Sequence, residues 1–162
     1  MSAEKKKQAG VLGLIIALVV VLFGGLLFMA AVSGWFDNTK VTLDAEYYGD
    51  GTEYMELSAE EYNNLIENKK SFVVLVDQGG CTTADRLREY GLEYAKEKGI
   101  LVYRIMFDEM KETSMHDTVK YYPSLVIISK GKIVGYLRAD ADEDAPAYNE
   151  YADFKAWADN YL

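Results

Sequence analysis

Apolar and polar positions fall into runs that predict a mixed α/β domain. Phe72-Val73-Val74-Leu75-Val76 is an unbroken β-branched and aromatic stretch, the pattern of a strand covered on both faces as in a parallel sheet. Asp77-Gln78-Gly79-Gly80 interrupts it, and from Thr83 onward Ala84, Leu87, Tyr90, Gly91, Tyr94 and Ala95 recur at helical spacing until Gly99. Residues 100–107 then read as a second strand, which gives a right-handed βαβ unit. Upstream, Ser58-Ala59-Glu60-Glu61 has the form of a capping box opening a helix through Tyr62, Leu65 and Ile66. Downstream, a helix is expected over 110–121. A strand at 125–128, a Lys130-Gly131 turn and a partner strand at 133–137 follow, and a last helix runs from Tyr148. Residues 41–48 alternate apolar and polar before Gly49-Asp50-Gly51 and Tyr54-Met55-Glu56-Leu57, which predicts an extra N-terminal β-hairpin.

A different pattern occupies the N-terminus. Residues 11–32 carry no charge and about fifteen Leu, Ile, Val or Phe, and at 1.5 Å per residue a helix of that length reaches about 33 Å, enough to cross a bilayer core. Lys5, Lys6 and Lys7 precede this run, while Trp35, Phe36 and Asp37 follow it. The positive-inside rule therefore predicts a cytoplasmic basic stub (1–10), a transmembrane helix (11–32), a tether (33–40) and an extracytoplasmic domain (41–162). Ala31-Val32-Ser33 loosely resembles a signal-peptide cleavage site, but the apolar run is longer than the usual h-region, so a single-pass cell-membrane anchor is expected.

Charge narrows the partners. The chain has a net charge of −9, and from Ser33 onward 14 Lys and Arg stand against 25 Asp and Glu, a net −11. Nucleic acid is excluded as a partner, and anionic headgroups would repel the domain. Asp140, Asp142, Glu143 and Asp144 cluster, but Ala145 and Tyr151 occupy the Gly and Glu positions of a calcium loop, so a solvated loop is expected. His116 is the sole histidine and lacks companions for a zinc site, so no metal and no cofactor is implied.

The candidate chemistry is one thiol. Cys81 is the only cysteine and is expected at a helix N-terminus, where free N–H groups and the dipole favour a thiolate. Asp77 and Asp85 flank it and oppose the effect, so only modest acidification is expected.

The element order, the Cys81-Thr82-Thr83-Ala84 segment and Tyr122-Pro123-Ser124-Leu125-Val126-Ile127 together resemble the thioredoxin-like superfamily over roughly residues 55–162. The resemblance implies a thioredoxin-like fold with a central mixed sheet flanked by helices. It places Cys81 at the first position of the C-x-x-C motif, makes Pro123 a cis-proline facing it, and makes Thr82, Thr83, Tyr122 and Ser124 neighbours of a substrate groove. The motif is degenerate. Ala84 replaces the resolving cysteine, Gly80 the usual tryptophan and Leu75 the usual buried carboxylate, so a cycle through an internal disulfide is excluded. The layout is also similar to membrane-tethered thioredoxin-like accessory proteins of Gram-positive bacteria. The expected function is monothiol thiol-disulfide exchange through Cys81, with an exported or envelope protein or a small thiol as partner. The alternative is a redox-inert binding module that holds an envelope or secretion partner at the membrane through the groove between Cys81 and Pro123.

Overall fold

A computed structural model describes residues 40–162 and Val19; the expected stub, the rest of the span and the tether up to residue 39 lie outside the described residues. Among the described residues no helix is long and apolar enough to cross a membrane. The strands, in chain order, are β1 (Tyr54–Glu56), β2 (Phe72–Asp77), β3 (Val102–Met106), β4 (Ser124–Ser129) and β5 (Lys132–Tyr136). The helices are α1 (Ala59–Glu67), α2 (Thr82–Lys98), α3 (Phe107–Met110) and α4 (Tyr151–Asp159). The sheet order is β1-β3-β2-β4-β5, with β1 and β2 parallel to β3, β4 antiparallel to β2, and β5 antiparallel to β4.

All six residues of β2 are buried, which is why Phe72 to Val76 are apolar without alternation. Each fully buried Val, Leu or Phe contributes about 1.5–3 kcal/mol of transfer free energy. The Phe72 ring anchors an aromatic cluster, with Tyr47, Tyr62 and Tyr103 at centroid distances of 5.9, 6.3 and 5.7 Å. Helix α1 starts as the capping pattern predicts, the Glu61 N–H donating to the Ser58 hydroxyl at 3.2 Å. Helix α2 ends at Gly99, whose left-handed backbone lets Ile100 N–H close on the Ala95 carbonyl at 3.0 Å. Its buried face is Ala84, Leu87, Gly91, Tyr94 and Ala95. Gly91 has a steric role, because a Cβ there would collide with the Tyr54 hydroxyl, which donates to the Arg88 carbonyl at 2.8 Å.

Three local expectations are corrected. The extra N-terminal hairpin does not form, because β1 joins the sheet as a parallel partner of β3. Residues 41–48 instead make an arm containing a 3-10 turn at Ala45–Tyr47, in which Leu43 and Tyr47, four apart, both enter the core. The Gly49 N–H donates to Gly99 and Leu101 N–H to Tyr47, so the arm pairs with the approach to β3. The helix expected over 110–121 is only α3 and a separate 3-10 turn at Ser114–Asp117. Thr113 ends the helical run, its hydroxyl donating to the Met110 carbonyl at 2.7 Å and accepting from Met115 N–H at 3.2 Å. The acidic loop is not uniformly solvated either, since Asp144 is 8 % exposed and accepts from the Arg138 N–H at 2.8 Å.

Candidate functional site

The carboxyl end of β2 brings the sequence-predicted residues together. β2 leads through the exposed Gln78, Gly79 and Gly80 to Cys81, the N-cap residue of α2. The antiparallel register pairs Val76 with Ser124, so Pro123 stands at the same sheet end from which the Cys81 loop departs. The Tyr122-Pro123 peptide bond is cis. Pro123 is buried, Tyr122 is half-buried, and Tyr122 stacks on Phe107 at 3.8 Å with an interplanar angle of 27°. The Lys111 ammonium sits 4.1 Å from the Phe107 centroid and completes a stack of side chains on this side.

Cys81 is a free, half-exposed thiol. Nothing lies within 4 Å of where a Cβ on Gly79 or Gly80 would project, so the approach across this loop is open. Backbone N–H groups of Ala84 and then Thr83 hold the thiol below its ordinary pKa, aided by the Thr83 side chain and opposed by partial desolvation and the Asp85 charge. The sulfur makes no full capping hydrogen bond in its neutral form. The first-turn donors act chiefly on the anion. The expected acidification holds in direction; of the two flanking carboxylates, Asp85 opposes it, behind desolvation, and Asp77 is not among the groups that act on the thiol. Thr82 is exposed and Thr83 half-buried beside the sulfur. Ala84, where a second sulfur would stand, is 1 % exposed.

Ser124 is placed differently from the other groove neighbours. It is fully buried, and its hydroxyl donates to the Leu137 carbonyl at 2.7 Å, tying β4 to the end of β5. The backbone groups of Tyr122 make no hydrogen bond among the described residues.

Sequence reasoning missed the charge network beneath the site. Asp77, read as a free negative flank, is 1 % exposed, and Arg88 Nη1 donates to both its oxygens at 2.6 and 2.8 Å. Arg88 also pairs with Asp85, and Arg104 of β3 approaches Asp77 at 3.7 Å while pairing with Glu56. The signal was Arg104 inside the apolar run Val102-Tyr103-Arg104-Ile105, because an arginine in a central strand needs a buried anion. The sequence pattern starts the last helix at Tyr148, but that helix begins at Tyr151. Tyr148 precedes α4 in a 3-10 turn, and its hydroxyl donates to the Pro123 carbonyl at 2.8 Å.

No protein-family model and no curated protein sequence matches the chain. Solved structures do. Schistosoma mansoni thioredoxin is similar at 16 % identity and a TM-score of 0.51, over 70 % of this chain and 100 % of that one. Mitochondrial thioredoxin 3 from Saccharomyces cerevisiae in its oxidized form is similar at 17 % identity and 0.50, over 68 % and 99 %. The reduced Schistosoma mansoni thioredoxin pre-protein matches at 17 % and 0.50, over 68 % and 99 %. The domain has a thioredoxin-like α/β fold, a mixed five-stranded sheet flanked by helices.

Proposed function

We propose that this protein carries out monothiol thiol-disulfide exchange through Cys81, from a membrane-tethered, extracytoplasmic position. The observation that carries the reading is a free, half-exposed thiol at the N-cap of the 17-residue helix α2, acidified by first-turn N–H groups and open toward Gly79 and Gly80. The Cys81 thiolate attacks one sulfur of a partner's disulfide, a new S–S bond forms as the old one breaks, and the departing thiolate takes a proton from solvent. A second thiol, from the partner or a small-molecule pool, then attacks the mixed disulfide and regenerates Cys81. This resolver is external because Cys81 is the chain's only cysteine. The partner is an exported or envelope protein or a small thiol, and the domain's negative charge favours a basic one.

The test is the second-order rate of the full chain with cystamine across pH, read by mass spectrometry, beside Cys81→Ser. A cystamine adduct whose rate rises through a pKa below the ordinary thiol value supports exchange; an inert thiol, or one no more acidic than a free cysteine, refutes it. The second reading, a redox-inert binding module, draws on the exposed Met106 and Tyr121 near the Phe107–Tyr122 stack. Undiminished capture of a partner by Cys81→Ser would select it.

A further inference from the structure

Tyr148 ties the two walls of the candidate site together. It is 7 % exposed, and its hydroxyl donates to the Pro123 carbonyl at 2.8 Å. Its own segment is pinned to α2 by three more bonds. Arg86 Nη1 donates to the Tyr148 carbonyl and to Asn149 Oδ1, both at 3.1 Å, and the Tyr90 hydroxyl donates to the Asn149 carbonyl at 2.9 Å. Arg86 and Tyr90 belong to the same helix whose N-terminus presents Cys81, so a continuous chain of bonds runs from the thiol helix through Tyr148 to the proline bend. Burial raises the Tyr148 pKa above its ordinary value, reinforced by Asp144 and Asp140, which keeps the hydroxyl a neutral donor.

Disulfide exchange needs three sulfurs nearly in line, so a peptide held along the Tyr122-Pro123 bend reacts well only if that bend is fixed relative to Cys81. We propose that Tyr148 is a positioning residue for exchange at Cys81, holding the Tyr122-Pro123 bend in register with α2 through its hydrogen bond to the Pro123 carbonyl and the Arg86 and Tyr90 contacts behind it. This inference rests on the exchange reading above. It deepens that reading by naming the residue that fixes the bend relative to the thiol helix.

The test compares wild type, Tyr148→Phe and Arg86→Gln as full chains in detergent. Three probes are used: iodoacetamide, cystamine and the symmetrical disulfide of a short neutral cysteine peptide. The expected result is a loss of about tenfold, or about 1.4 kcal/mol, in the peptide-disulfide rate for both variants, with iodoacetamide and cystamine rates essentially unchanged. A peptide rate in Tyr148→Phe equal to wild type overturns the inference, and so does an equal fall with all three probes, which marks a merely structural role. Arg86→Gln carries the test if Tyr148→Phe does not fold. A wild-type thiol inert toward both disulfides would instead remove the exchange reading and this inference with it, whereas wild-type reaction with cystamine leaves only the role of Tyr148 in question.

Discussion

Replacing Asp77 with Asn should be among the most damaging single polar changes in the domain. Its carboxylate is 2 % exposed and bridges Arg88 Nη1 with both oxygens, while Arg104 stands 3.7 Å away. Breaking a buried pair by deleting one partner costs about 3–5 kcal/mol, because the remaining charge is left without compensation. The Arg88 and Arg104 side chains are not fully buried, at 26 % and 32 % exposure, and they keep Asp85 and Glu56. Asn also preserves one acceptor for Arg88. The loss should therefore lie at the low end, about 3 kcal/mol. Urea unfolding of the full chain followed by far-UV circular dichroism measures it, with Asp108→Asn as the control because that carboxylate is 90 % exposed in its pair with Lys111. The control should be close to neutral. A loss below about 1 kcal/mol for Asp77→Asn, at unchanged denaturant slope, would show that the guanidinium groups rehydrate freely and would refute the argument.

The alkylation rate of Cys81 should rise with pH through a pKa below the ordinary thiol value, and Asp85→Asn should lower that pKa further, because Asp85 is the charge that opposes the thiolate; an upward shift in the variant would contradict this. The thiol's folded pKa is depressed, so its contribution to stability is complete above the unfolded pKa and is lost as pH falls through the folded value; unfolding measured against pH should lose this component in Cys81→Ser. Gly91→Ala should destabilise by about 1–3 kcal/mol through collision with the Tyr54 hydroxyl. Most of that loss should return in the double variant with Tyr54→Phe, as a double-mutant unfolding cycle would show. Ala84→Cys should let a captured cystamine adduct resolve into an internal disulfide, detected as spontaneous release of cysteamine; a persistent adduct would mean that the second sulfur cannot reach the first.

Legibility from sequence followed the range of the interactions. The β2 run, the Ser58 cap, the Gly99 terminus and the Lys130-Gly131 turn rest on neighbours within one or two turns of chain, and each appears where the pattern placed it. The 41–48 arm misled because Leu43 and Tyr47 satisfy an alternating period and a four-residue spacing alike, and only the space beside Phe72 and Tyr103 decides between them. The stretch after β3 misled because Met110, Met115 and Val119 are all fully buried at spacings no single helix face provides, while Thr113 competes for the backbone. At the site, Cys81, Thr83, Tyr122 and Pro123 were legible from local pattern and resemblance. Asp77 paired with Arg88, and Tyr148 bonded to Pro123 across 25 positions, were not, since no short-range rule relates them.

The Cys81 thiol of this acidic domain is acidified without help from a side-chain cation. Arg86 and Arg88 both lie within two turns of Cys81, yet neither is among the groups that act on the thiol: Arg86 is committed to Tyr148 and Asn149, and Arg88 to Asp77 and Asp85. The pull on the thiolate therefore comes chiefly from the backbone N–H groups of Ala84 and Thr83, which the first turn of the helix holds in place. Asp85 limits the same pull. Because intrinsic nucleophilicity falls as a thiol's pKa falls, the opposition from Asp85 favours attack by each thiolate that forms. Under the proposed exchange, an external thiol must displace the Cys81 sulfur again, and strong electrostatic stabilisation of the free thiolate would work against its rejoining a disulfide. Both arginines are thus engaged elsewhere, Arg86 with Tyr148 and Asn149 and Arg88 with Asp77 and Asp85, and the helix terminus is left to acidify the thiol.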